Sequence, residues 1–428
     1  MLTLDINQRN FDKLLDNFLL KRRKKLQSSS VSVSRIINDV KKNGDKAILK
    51  YERKFNRNNI IVPSVKQINK SIKTLDKKIK KVIDDAYNRI YKFHSLQKFK
   101  NISYRDKYNN KIEYKYLPLE SVCLYVPGST ASYPSTVLMN AIPAICAKVK
   151  RIVMVNPAFE GKQNPSVLYA AKLCGISEIY QIGGPSAIAA VAYGTKTIKP
   201  VNKIVGPGNQ FVAAAKREVS GDVGVESMFC GPSEVTIVCD KNSNPDWLAS
   251  DLVGQAEHSD LVQCILISKD RKIIEKTRME IFKQVKEIPR SSIAKKSLMK
   301  YGILLHVNSD KKIIDIINKI GPEHLELNIK NYKSYVPKIK SSGSICLGNF
   351  AIMSLTDMGV PGSNHVLPTN FSSKYSSGLN VSEYMKSMSF ITLSKQGVDK
   401  LGPSAITLAE NEGLQAHAQS IIKRIRRK

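Results

Sequence analysis

Between residues 120 and 210, short apolar runs repeatedly end in a turn and give way to a helical pattern, a rhythm that admits few folds. Residues 122–126 run into Pro127-Gly128. Residues 151–155 are followed by a turn and the helical stretch 165–174. Residues 178–182 end in Gly183-Gly184 before SAIAAVAYG, and 203–205 end in Gly206-Pro207-Gly208 before a helix starting near Asn209. A repeated strand–turn–helix unit makes consecutive strands parallel and covers their sheet with crossover helices. A second set continues with strand 235–239, helix 245–257, strand 262–268, helix 270–287, strand 303–307 and helix 310–318.

The expected fold is α/β. It has two helix-flanked, mostly parallel sheet domains, Rossmann-like without GxGxxG, plus small N- and C-terminal helical segments. The expected boundaries are 1–25 for the N-terminal segment, 26–125 plus 235–379 for the larger α/β domain, 126–234 for the second, and 380–428 for the C-terminal segment. Residues 1–120 read mainly as helices, with Phe11, Leu14, Leu15, Phe18 and Leu19 at helical spacing and 64–99 as one long amphipathic helix.

Composition excludes several classes. The 428 residues, 42% hydrophobic and 24% charged, are ordinary for a globular chain and rule out collagen-like or disordered readings. No apolar run is long enough to span a bilayer, and the first residues carry Asp5 and Asp12 in place of a signal-peptide core. The chain is therefore expected in the cytoplasm, with no membrane partner. Cysteines at 123, 146, 174, 230, 239, 264 and 346 never form CxxC and read as buried reduced thiols. The formal charge of +32 raises nucleic-acid binding as an alternative. Yet the lysines are spread out, and the basic runs 21–25, 77–81 and 424–428 are short. They read as solvated faces, with no specific nucleic-acid partner expected.

Ligands of parallel sheets gather at the carboxyl ends of the strands. The turns at 126–128, 183–185 and 206–209 all lie there, and glycine permits close approach to a phosphate at a helix N-terminus. Each alone is explained by turn geometry; three in one unit point to a nucleotide site of non-standard form. His94, in a basic helix, and His306, in an apolar strand, read as structural. Gln255 and His258 share a helical face and form either a polar surface or two ligands to one ion. Glu323 and His324 place an acid/base group beside a partner that could activate water, or else cap an element. Asp357 and His365 lie in a turn-rich segment, and Glu412 and His417 near the chain end. Ser233, in Gly-Pro-Ser-Glu, could hydrogen-bond a polar substrate, but no base is fixed beside it.

Taken together, LYVPGSTASYPSTVLMNAIPA (124–144), IGGPSAIAAVAYGT (182–195), KIVGPGNQFVAAAKREV (203–219), GPSEV (231–235), SDLVGQAEH (250–258), GPEHLEL (321–327), SNHVLPT (363–369) and LQAH (414–417) resemble the histidinol dehydrogenase family. The resemblance covers nearly the whole chain. It implies a four-electron oxidation of L-histidinol, through the aldehyde, to L-histidine, using NAD and one Zn²⁺ per site. The implied metal ligands are Gln255, His258, Asp357 and His417, the last reaching the partner's site in a homodimer. His324 would be the base for the alcohol and Glu323 would activate water. Ser233, His365 and Glu412 would contact substrate together with His324 and the metal ligands. Tyr125, Ser186 and Asn209 would contact the cofactor, Ser186 standing where the family commonly has Gln. In this reading 126–234 is the nucleotide side. A zinc hydrolase on the same scaffold, independent of NAD, is the competing enzyme reading.

Overall fold

The computed structural model describes residues 1–27, 30–128, 133–226 and 231–425, with side chains for all of these but 23–27, 30 and 31. Cys230, positions 129–132 of the first family string and most of the basic run 424–428 therefore lie outside the described residues.

The chain opens with β1 (Leu2–Asp5), α1 (Phe11–Gln27), α2 (Ser30–Asn56), α3 (Val65–Lys73) and α4 (Lys77–His94), followed by β2 (Ile102–Arg105) and β3 (Lys111–Pro118). A first α/β run comprises β4 (Ser121–Tyr125), α5 (Pro134–Cys146), β5 (Arg151–Val155), α6 (Pro165–Leu173), β6 (Glu178–Tyr180), α7 (Gly184–Tyr193), β7 (Lys203–Val205), α8 (Gln210–Val219) and β8 (Gly224–Val225). The second has β9 (Glu234–Cys239), α9 (Pro245–Ala256), β10 (Gln263–Ser268), α10 (Arg271–Gln284), α11 (Ser291–Tyr301), β11 (Gly302–His306) and α12 (Asp310–Ile320). It continues through β12 (His324–Asn328), β13 (Ser344–Leu347) and α13 (Met353–Asp357). Then come β14 (Met385–Thr392), α14 (Lys395–Asn411) and α15 (Gln415–Ile425).

These elements fall into two units, 1–96 with 119–384 and 97–118 with 385–428. The larger unit holds two sheets, ordered β6-β5-β4-β7-β8 and β1-β11-β10-β9-β12-β13, parallel throughout. Strands β4, β9 and β10 are buried at every residue, as parallel strands covered on both faces must be. Helices start promptly after the strands because side-chain caps are in place: Asn164, Asn209, Asn244, Asp270 and Ser309 each accept from a first-turn N–H. Helix α2 packs against α7 and α8, with Ile37 and Ile48 in the cluster that includes Ile188 and Val191 of α7.

The stretch 64–99 is not one helix. A capping box of Ser64 and Gln67 starts α3, which ends at Lys73, and Asp76 caps a separate start for α4. The N-terminal third is also not wholly helical, since β1 pairs with β11 at the sheet edge.

The smaller unit is a three-stranded antiparallel sheet ordered β14-β3-β2, with α14 packed on α15 where Gly402 faces Ile421 and Ile425. Strand β14 is exposed at nearly every residue, so its apolar pattern does not announce a strand. Among the described residues no helix is long and apolar enough to cross a membrane.

Candidate active site

The pair Glu323–His324 owes its position to a helix stop. Helix α12 ends with Gly321 in the left-handed conformation (φ +55°), and Pro322 cannot continue it. The chain turns directly into β12, placing Glu323 at the strand entry and His324 on its first residue, opposite Val235 of β9 and Ser344 of β13. Both side chains line a cavity of about 670 Å³ in the larger unit, a size that suits a small-molecule site.

Glu323 is 6% exposed, and its Oε2 accepts from the Glu234 N–H at 2.7 Å. Burial pushes its proton affinity well above the usual carboxylate range. The Glu234 N–H opposes that, the charges of Glu234 and Asp357 add to it, and Arg22 opposes it. His324 is 2% exposed, and burial, with His365 and His258 nearby, lowers its pKa to about 3. The imidazole is therefore neutral. Its Nε2 lies 3.7 Å from Asp357 Oδ1 and 4.0 Å from Glu323 Oε1, close approaches that are not ion pairs in that state.

His258 follows α9 by two residues, and Gln255 sits in the last turn of that helix. The Gln255 side chain is 1% exposed, and neither its Oε1 nor its Nε2 has a hydrogen-bond partner. His258 Nδ1 lies 3.2 Å from Gln255 O, leaving Nε2 as its other donor atom. Asp357 ends α13, and its Oδ1 is likewise buried without a partner. Burial raises its pKa to about 7. His365 is fixed by Nδ1 to the Asp357 carbonyl at 2.9 Å, and burial lowers its pKa to about 4. The segment carrying both is anchored: Arg89 of α4 donates to Gly359 O and Asn364 to Met139 O.

The Gln255 amide and Asp357 Oδ1, both buried without a partner, and the His258 imidazole are donors of the kind zinc accepts; His258 and Asp357 line the cavity, whereas Gln255 is not part of that lining. Among the described residues no three His, Cys, Asp or Glu side chains lie together as a metal cluster. The donor set here contains only two residues of those types, His258 and Asp357, so it would need a further ligand.

Ser233, His258, Glu323, His324, Asp357 and His365 all line the one cavity, and so do Tyr125, Ser186 and Asn209. The last three are already engaged in shaping turns. Tyr125 Oη accepts from the Gly184 N–H, Ser186 Oγ donates to Gly183 O, and Asn209 Oδ1 caps α8 at Phe211 and Val212. Gly183 itself donates to the buried Glu52 carboxylate at 2.8 Å. A Cβ on Gly183 would lie 2.7 Å from Pro157 Cβ, which is why that turn has no side chain. Glu412 and His417 belong to the smaller unit, where both are exposed.

Sequence reasoning missed three contributors. Arg22 falls in a basic run read as a solvated face, yet it is 2% exposed; Lys21 beside it is exposed. The signal was its spacing: Arg22 continues the buried stripe Phe11, Leu15, Phe18 of α1. Glu52 and the buried carboxyl pair of Asp251 (α9) and Glu326 (β12) were missed because the contacts that matter, Glu52 to the Gly183 N–H and Asp251 to Glu326, join segments far apart in the chain. The described cysteines are free, all buried except the half-buried Cys146, as expected.

Comparison with known proteins points to one family. The family profile described as histidinol dehydrogenase matches residues 20–425. The chain is 68% identical over 425 residues to a histidinol dehydrogenase of Pelagibacter ubique (strain HTCC1062), covering 99% of each. It is 42% identical over 427 residues to one of Brucella suis biovar 1 (strain 1330), again covering 99% of each. The crystal structure of histidinol dehydrogenase from Elizabethkingia anophelis superposes with a TM-score of 0.89 at 35% identity, covering 99% of this chain and 98% of that one.

Proposed function

The chain belongs to the histidinol dehydrogenase family, and on that premise we propose how its own residues share the reaction. It is an oxidoreductase that takes histidinol as substrate and NAD as electron acceptor, in the final steps of histidine biosynthesis. One observation carries the division of roles: a buried carboxyl and a neutral imidazole stand side by side in one pocket. His324, uncharged near neutral pH, takes the proton from the substrate hydroxyl. Glu323 takes a proton from the water that adds at the aldehyde level; burial makes its carboxylate a stronger base than an exposed one. Ser233, His365 and the exposed Glu412 contact substrate, the last matching the positive charge of an amino alcohol.

Gln255, His258 and Asp357 would hold a zinc ion, with His417 from a second copy of the chain as the fourth ligand. The buried, unpartnered donor atoms of Gln255 and Asp357 support this, as does the exposure of His417 on α15. When bound, zinc would fix the imidazole and amine of histidinol and so orient its carbinol carbon. Tyr125, Ser186 and Asn209 shape the turns at the starts of α7 and α8, where a dinucleotide phosphate would meet backbone N–H groups.

The test is direct. Metal-replete protein given L-histidinol should form about two NADH per substrate, because a four-electron oxidation needs two hydride acceptors. Exhaustive chelation should abolish the reaction. Turnover that survives chelation overturns the zinc assignment, and turnover without NAD would favour a hydrolase instead.

A further inference from the structure

Arg22 of α1 stands outside the proposed machinery, yet its guanidinium is spent on three carbonyls of the pocket lining and on Glu234. Nε donates to Leu261 O at 2.7 Å, in the loop that carries His258. One terminal nitrogen donates to Glu234 Oε1, and the other to Pro232 O and to Ser233 O. Both members of the Arg22–Glu234 pair are buried. Glu234 is held again through the Asn370 N–H on the same Oε1, and its own N–H is the donor that Glu323 Oε2 accepts. A single side chain thus ties together the turn bearing Ser233, the loop after His258 and the donor to Glu323.

Charge matters as much as geometry. A buried Glu234 carboxylate without its cation would stand beside Glu323 and resist the ionisation that a base requires. The charged and titratable groups around Glu323 are Glu234 and Arg22 on the β9 side, Asp357 from α13, and His324 beside it. Of these, Arg22 is the one fixed positive charge.

We infer that Arg22 is a positioning residue for Glu323: through Glu234 it fixes the N–H that orients the carboxylate and supplies the buried positive charge opposite Glu234. The inference rests on the reading of Glu323 as the water-activating base, so the experiment includes a control for that reading. Metal-loaded, full-length Arg22→Met, Arg22→Lys, Glu234→Gln and Glu323→Gln are assayed with L-histidinol and, separately, with L-histidinal. Glu323→Gln should slow aldehyde oxidation selectively. Arg22→Met should lower kcat for the aldehyde by about tenfold or more, with KM and the alcohol step changed by less than about threefold. Arg22→Lys, which keeps the charge but cannot span four acceptors, should recover part of that loss.

The acid limb of the aldehyde kcat profile should move to higher pH in Arg22→Met, where a cation is lost, and to lower pH in Glu234→Gln, where an anion is lost. A residue that merely stabilises the fold would not move the two limbs in opposite directions. Limbs that stay still or move together, or equal slowing of both steps, overturn the inference while leaving Glu323 in its role. An unselective Glu323→Gln overturns that role and the inference with it. Should Arg22→Met fail to fold, Arg22→Lys and Glu234→Gln decide by the same criteria.

Discussion

Alternate residues of β12, His324 and Glu326, point to one face of the sheet, and burial keeps both uncharged, the imidazole by lowering its pKa to about 3 and the carboxyl by raising it to about 8. For His324 this leaves the ring nitrogen unprotonated and able to accept a proton, as a weaker base than an exposed imidazole. His324→Ala should cut oxidation of L-histidinol by roughly 10²–10⁴-fold while zinc content, read by elemental analysis, stays unchanged. For Glu326 the consequence is thermodynamic. Its folded pKa is raised above the unfolded value, so its contribution to stability is intact below about 4.5 and is lost as pH rises through about 8. Asp251, raised to about 6 by burial, shares the site. Metal-free Glu326→Gln should therefore melt above the parent at pH 8.5, with the gain vanishing near pH 5, in a thermal scan. Glu323–His324 and Gln255–His258 were legible in the sequence because each pair sits within one short string. Glu326 was not, since what makes it unusual is Asp251 on a helix of another βα unit.

Among the elements, the parallel strands were legible for a physical reason: buried on both faces, β4, β9 and β10 read as unbroken apolar runs. Strand β14, exposed along most of its length, left no such trace, and β1 is too short to show a period. The glycine turns were legible as turns, but not how tightly they are packed. Gly206 has φ +113°, and a Cβ there would collide with the Tyr125 carbonyl oxygen. Gly175, at φ +70°, opens on empty space. Gly175→Ala should cost only the left-handed penalty, about 1–2 kcal/mol. Gly206→Ala should cost more, beyond about 3 kcal/mol, because the β4–β7 seam must part as well. Denaturant midpoints of the two variants check this ranking.

At the scale of the molecule, three proposed zinc ligands lie in the larger unit and the fourth, His417, in the smaller. If a second copy supplies it, neither His417→Ala nor Gln255→Ala alone should turn over, whereas co-refolded mixtures should regain up to about a quarter of the parental activity, the share expected when mixed dimers hold one intact site. No recovery would place all four ligands in one chain. Whether the smaller unit takes part was not legible from composition or period; only the family strings pointed to it. Leu2 pairs with Ile303, and Arg22 closes on Glu234. During synthesis, then, β1 and α1 leave the ribosome long before β9 and β11 do. A nascent chain must carry Leu4, Phe11 and Leu15 uncovered until β11 emerges. Chaperone capture of that uncovered apolar surface during translation should therefore raise the yield of native protein.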